Sequence, residues 1–203
     1  MIAGVITTPN RQQYLTTLVP QISPFVDRFT IFCDTQRQGQ VFNMRRCMKE
    51  MLESAKPDEP VLIMTDDVIT VPDWHERFMR LRAEVPSEIY TFFTRRPHLI
   101  KYAEQGYYKG MPPRGFYDQA VIYINQHDLI TRIDQWFEWR GKTVIQPEHR
   151  QRHYDVVVQE YLIDNNIEWV TTIPCLFEHV GEVSSLGHNV GKAIAFVGDY
   201  ERV

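Results

Sequence analysis

Residues 60–68 read Pro-Val-Leu-Ile-Met-Thr-Asp-Asp-Val, an apolar run opened by proline and ended by two adjacent carboxylates, Asp66 and Asp67. Four apolar residues in a row, bounded by breakers and polar groups, spell a strand buried on both faces. Two similar runs precede it. Ile2 to Thr7 is β-rich and stops at Thr8-Pro9-Asn10, and Phe29 to Cys33 stops at Asp34. Helical periodicity fills the gaps between them. Asn10 is placed to cap a helix that buries Tyr14, Leu15, Leu18, Val19 and Ile22, and Gln40 to Ser54 repeats Val41, Met44, Met48, Met51 and Leu52 on one face. Strands alternating with helices predict an α/β fold, a mixed and mainly parallel Rossmann-like sheet with helices on both faces. In such sheets ligands bind beyond the carboxyl ends of the strands, so Thr7-Thr8, Asp34 and Asp66-Asp67 are expected at one edge.

Downstream, the pattern predicts a helix over 72–83 and a strand over 89–93. A strand over 120–124, helices over 126–136 and 154–165, and a strand over 168–172 follow. Residues 94–117 are rich in Gly, Pro, Tyr and Arg without periodicity and read as a long functional loop. No linker or repeat divides the 203 residues, so one domain is expected.

Composition narrows the class. At 43% hydrophobic and 24% charged the chain is globular rather than disordered. Its net charge of −4 gives no global attraction to a polyanion, leaving only a local basic patch to supply one. Cys33, Cys47 and Cys175 are widely spaced and read as reduced, mostly buried thiols. With no apolar stretch suited to a leader or a membrane span, the expectation is a cytoplasmic protein without membrane insertion. Nothing in the sequence sets an oligomeric state. The phosphate loops GxGxxG and GxxxxGK[ST] are absent, which weighs against Rossmann oxidoreductases and P-loop kinases, and the missing Gly-rich loop after the first strand weighs against nucleotidyl transfer.

Two segments carry candidate chemistry. Adjacent carboxylates at a strand tip suit a divalent cation, although they equally suit a turn or a helix cap; strand alternation would point them in different directions unless the backbone turns there. The second segment, PCLFEHVGEVSSLGH (174–188), offers His179 as a borderline metal ligand. Its Ser184, Ser185 and His188 lie in a stretch whose hydroxyls and amides suit phosphate oxygens. A histidine there also suits a plain core position.

Taken together and in this order, TDDV and PxLxEHVGxxSSLG resemble the nucleotide-sugar glycosyltransferases of the GT-A fold. The C-terminal element is similar to the Q-H-V-G-x-x-S-S-L element of animal N-acetylglucosaminyltransferases and related bacterial and viral enzymes. GFYDQAVIYIN (115–125) looks like their sugar-pocket segment, and HYDVVVQEYLIDNNIEW (153–169) resembles the helix whose first turn carries an acidic residue in inverting members. Thr65 stands where the acidic motif often begins with Asp or Glu, and Glu178 where Gln usually precedes His.

The resemblance implies a single glycosyltransferase domain with a nucleotide-binding half near 1–93 and an acceptor and metal half near 94–203, a nucleoside-diphosphate-sugar donor, a UDP-sugar first, and Mn²⁺ or Mg²⁺ held by Asp67 and His179. Asp66 would orient ribose, the metal's waters or the sugar. Thr7, Thr8, Pro9 and Arg11 would form the base and ribose loop, with Asp34 at the nucleoside; turn and capping chemistry is the alternative for Thr8 and Asp34. Asn43 and Arg46 share a helix face from which Arg46 could reach a phosphate, or stand as surface residues. Asp155 is the candidate base for the acceptor hydroxyl or else a helix cap, and Asp118 the second choice. For the acceptor, Arg45-Arg46, Arg95-Arg96 with Lys101, and the basic run 140–153 lie near Trp136, Trp139 and Tyr154. That combination suits a solvated surface with structural aromatics first, and a nucleic acid second. The resemblance to viral glycosyltransferases implies hydroxymethylated bases in DNA as one acceptor class, and a lipopolysaccharide, capsule or protein glycan is the competing one. A non-catalytic binder of the same fold is the remaining class.

Overall fold

The computed structural model describes residues 1–111, 120–125, 127–139 and 153–180, together with Ala193 and Phe196. Seven strands form one sheet: β1 (Ile2–Thr7), β2 (Arg28–Cys33), β3 (Pro60–Thr65), β5 (Ile89–Thr91), β6 (Tyr107–Gly110), β7 (Ala120–Ile124) and β8 (Trp169–Thr172), in the order β2-β1-β3-β7-β5-β8-β6. β2, β1 and β3 pair in parallel, as do β5 and β8, whereas β7 and β6 run against their neighbours. The expected mixed and mainly parallel sheet is therefore present.

Helices cover both faces. α2 (Gln40–Ser54), α4 (His127–Glu138) and α5 (Tyr154–Asp164) pack on one side, where Met44, Met48 and Met51 meet Val61, Ile63, Trp136 and Tyr161. α1 (Leu15–Ile22) and α3 (Trp74–Glu84) cover the other, where Leu18, Ile22, Trp74 and Phe78 meet Val5, Leu62, Met64 and Tyr90. β3 shows why both helical layers are needed, since Val61 and Ile63 face one core while Leu62 and Met64 face the other. Trp74, Trp136 and Trp169 are fully buried, and each such side chain contributes about 4–6 kcal/mol of apolar burial.

Several sequence expectations are corrected here. Asn10 does not cap a helix; a short 3₁₀ turn (Gln12–Tyr14) precedes α1, and the Asn10 amide oxygen accepts from Thr8 Oγ1 instead. In α1 only Leu18 and Ile22 are buried. The 94–117 stretch holds a 3₁₀ helix (Pro97–Tyr102) and the edge strand β6. A second sheet was not anticipated: β4 (Val68–Thr70) pairs antiparallel with β9 (Phe177–His179), placing Val68 opposite His179. The three cysteines are free thiols, and Cys47 and Cys175 are buried. Among the described residues no helix is long and apolar enough to cross a membrane.

Candidate functional site

The parallel pairing of β1 with β3 sets Ile6 beside Thr65, so the residues that follow, Thr7 and Asp66, emerge side by side. Thr7 Oγ1 donates to Asp66 Oδ2 at 2.6 Å. β3 ends in a turn at Asp66-Asp67 before β4 begins, so strand alternation no longer applies and both carboxylates converge. The backbone turn is the exception under which the two side chains are expected not to diverge. Arg11 joins them: its Nε donates to Asp66 Oδ1 at 3.0 Å, and its Nη2 donates to Asp66 Oδ1 at 2.8 Å and also to Asp67 Oδ2.

The β4–β9 ladder supplies the fourth side. His179 Nε2 lies 3.2 Å from Asp67 Oδ2, and the Val180 amide donates to the Asp67 carbonyl at 2.9 Å. Glu178 faces elsewhere, its Oε1 accepting from the amides of His179 and Ala193. Asp66, Asp67 and His179 are buried, with 3%, 4% and 8% of their surface exposed. Burial that deep requires compensation.

The compensation is uneven. Burial pushes the Asp67 carboxyl up, but the contact with His179 and the charge of Arg11 outweigh it and hold it down at about 2. For Asp66 burial prevails over the hydrogen bonds from Arg11 and Thr7, leaving its carboxyl above the ordinary range. For Arg11 burial works against its charge, and the two carboxylates more than reverse that, so the guanidinium is held more firmly protonated.

The other expected residues divide by role. Asp34 accepts from the amides of Gln38 and Gly39 through both carboxylate oxygens, which is the turn chemistry alternative. Asn43 is buried; its Nδ2 donates to the Phe32 carbonyl at 2.7 Å and its Oδ1 accepts from Arg46 Nη2 at 2.9 Å. Arg46 also lies over the Phe32 ring. This pair ties α2 to the tip of β2. Thr8 and Pro9 are the outer part of the first loop, Pro9 being exposed. Thr65 continues the Val61 and Ile63 face, and its buried hydroxyl has no partner among the described residues.

Asp155 sits one residue into α5, after an N-cap at His153, so it is not the cap itself. Because β8 runs parallel to β5 and α5 feeds β8, the start of α5 falls at the same sheet edge as the carboxylate cluster. Burial pushes the Asp155 carboxyl up, and the Val156 amide and His153 offset only part of it. Asp118, Ser184, Ser185 and His188 lie outside the described residues, as do residues 140–152.

Of the basic and aromatic patch, Trp136 and Tyr154 are buried in the core. Arg45 is paired with Asp134 at 2.6 Å and Glu138 at 2.8 Å. Trp136 and Tyr154 thus serve packing between the helices, while Arg45 joins α2 to α4 through partly exposed ion pairs. A cleft of about 260 Å³ opens elsewhere, between α3 and β8, lined by Arg77, Arg80, Tyr107, Thr172 and Pro174 and containing none of the expected site residues.

Sequence reasoning placed Thr7 and Arg11 near a nucleotide, and missed that both are partners of Asp66. No local signal encodes that contact. Among the described residues no group of three or more His, Cys, Asp or Glu side chains converges on one metal position. Two side chains do fit as neighbouring ligands: metal–ligand bonds of about 2.1 Å at right angles separate ligand atoms by about 3 Å, and Asp67 Oδ2 and His179 Nε2 stand at 3.2 Å.

Fold and site together define a Rossmann-like α/β domain with a buried carboxylate pair at its carboxyl edge. No protein-family model matches the chain, and no curated protein matches it. Among solved structures it is similar to CMP:2-keto-3-deoxy-manno-octonic acid synthetase complexed with CTP, at 10% identity over 84% of this chain and 88% of that one, with a TM-score of 0.50. It is also similar to the apo form of the glycosyltransferase GlyE of Streptococcus pneumoniae TIGR4, at 9% identity over 83% of this chain and 44% of that one, with a TM-score of 0.44. At these identities the likeness is one of fold.

Proposed function

We propose that the chain is a transferase acting on a nucleotide sugar, and more finely a divalent-cation-dependent glycosyltransferase using a UDP-sugar. The observation that carries this reading is the meeting of Asp67 and His179 across the β4–β9 sheet, beside Asp66. These are the residues that the resemblance implied for the metal and the donor. The coarser class draws support from the fold shared with a synthetase whose structure holds CTP.

In this reading Asp67 and His179 would hold Mn²⁺ or Mg²⁺, and that cation would supply charge neutralisation for a diphosphate leaving group. Asp66, kept in place by Thr7 and Arg11, orients the donor. Asp155 takes the proton of the acceptor hydroxyl while the new bond forms at the anomeric carbon, the sugar–phosphate bond breaks and the nucleoside diphosphate leaves with its electron pair. The raised Asp155 carboxyl suits that task, because a stronger base accepts the proton more readily. Attack opposite the leaving group inverts the anomeric centre.

Exposed Arg95 and Lys101 remain as basic residues for an acceptor that is either a hydroxymethylated base in viral DNA or a bacterial or protein glycan. The test is release of nucleoside diphosphate from a panel of nucleotide sugars, with and without Mn²⁺, against DNA containing hydroxymethylated bases and against glycans. Pyrophosphate release from nucleoside triphosphates instead would establish nucleotidyl transfer, and nucleotide binding without either product a non-catalytic binder.

A further inference from the structure

Arg11 bridges the two buried carboxylates, and among the described residues it is the one Lys or Arg paired with either; His179 is the further partner of Asp67. Its backbone is fixed, with its amide donating to the Thr8 carbonyl and its carbonyl accepting from the Tyr14 amide. The side chain is another matter: 13% of it is exposed, and its guanidinium lies 5.0 Å from the centre of the Tyr14 ring at the rim of the site. The carboxylate oxygen that Arg11 Nη2 contacts on Asp67 is the one that stands 3.2 Å from His179 Nε2. One oxygen thus serves both the arginine and the pair fitted to a divalent cation.

We infer that Arg11 is a resident counter-cation, closing the carboxylate pair until a divalent cation and a nucleoside diphosphate arrive together and then turning to bind the diphosphate. The inference rests on the divalent-cation reading of the site and names its regulation. A guanidinium and a metal ion repel one another at a shared oxygen, so each excludes the other there. Both compensate the same buried charge, and the site is therefore satisfied in either state. A displaced guanidinium needs a new anion, and the planar fork of arginine matches phosphate oxygens. Metal and diphosphate then bind cooperatively, since the diphosphate supplies the partner that the metal takes from Arg11.

The test is Mn²⁺ binding followed by loss of the free-ion electron paramagnetic resonance signal, with and without UDP, for the wild type, Arg11→Ala and Arg11→Gln. The glutamine retains an amide donor for Asp66 without the charge, so a loss of folding in the alanine variant leaves the comparison intact. Without UDP, both variants are expected to bind Mn²⁺ roughly tenfold or more tightly than the wild type, within the usual range of coupling between sites. UDP is expected to strengthen Mn²⁺ binding more in the wild type than in either variant. Mn²⁺ affinities no higher in the variants make Arg11 a fixed structural partner and overturn the inference while the metal site stands. Absence of Mn²⁺ binding by all three proteins, UDP present or not, overturns the inference and the divalent-cation reading together.

Discussion

Asp67 and His179 meet across a sheet of two three-residue strands, with Oδ2 and Nε2 3.2 Å apart and the Val180 amide bonded to the Asp67 carbonyl. β4 starts immediately after Asp67 and β9 ends at His179, so the ladder sets the two residues at one end of the small sheet, and the turn at Asp66-Asp67 aims the carboxylate at the imidazole. Asp67→Asn and His179→Ala are each expected to lower metal-dependent release of nucleoside diphosphate by roughly a hundredfold or more, because charge stabilisation worth several kcal/mol would be lost. Circular dichroism should show the fold retained. Full activity in either variant removes the proposed pair.

A second expectation concerns pH. Burial raises the Asp155 carboxyl above its ordinary value, near 3.9 in unfolded chains. Such a group contributes stability that is fully present below that value and lost as pH rises through the raised one. Asp155→Asn should therefore stabilise the protein at neutral pH and make little difference in strong acid, as read from urea unfolding at both. As a base the carboxylate acts only when ionised, so transfer by the wild type should fall as pH drops through the raised value, above the usual carboxylate range. In Asp155→Asn donor binding should persist and transfer fall by about 10²–10⁴-fold. Unchanged transfer assigns Asp155 to the helix alone.

Asn43 supplies a third test, separating support from catalysis. Its amide bonds the Phe32 carbonyl and holds Arg46, all at the tip of β2. Asn43→Ala strands a buried carbonyl and is expected to cost about 1–3 kcal/mol in the urea unfolding free energy. A direct donor ligand would behave differently, with UDP affinity falling and stability unchanged.

How far the sequence was legible follows from which interactions are local. α2 was readable to its ends because its apolar residues recur at helical spacing over 15 residues. β4, β6 and β9 hold three or four residues each, too few for any period to emerge. Asp66, Asp67 and His179 stood out through motif and position, Thr7 was placed near them by topology, and Arg11 by the resemblance of the first loop to a nucleoside-binding one. That Thr7 and Arg11 bond Asp66 depends on the register of β1 against β3, a relation between residues some sixty positions apart that no local pattern specifies. Trp136 and Tyr154 admitted two readings for the converse reason: aromatic residues beside basic ones look alike in sequence whether they face solvent or fill the core, and here they fill it, as the structural reading had it.

The tightest approach beneath the site is at Gly4, mid-strand in β1. A Cβ there would lie 2.7 Å from Cys47 Sγ and 2.8 Å from Met51 Cγ, both on α2, with Phe32 Cε2 at 3.3 Å. α2 packs on β1 at this closeness only because position 4 has no side chain. Gly4→Ala must push α2 outward or force Met51 off its rotamer, and overpacking of this kind costs about 1–3 kcal/mol. The expected result is a lower urea midpoint with an unchanged slope. Adding Cys47→Ala removes the nearest obstacle while leaving Met51, so the double variant should be less destabilised than the sum of the two single ones. Because Thr7 ends the strand that carries Gly4, a displaced β1 also disturbs the Thr7 to Asp66 hydrogen bond. Donor affinity should therefore fall along with stability. Strict additivity of the two substitutions would show that Gly4 and Cys47 do not limit the approach of α2 to the sheet.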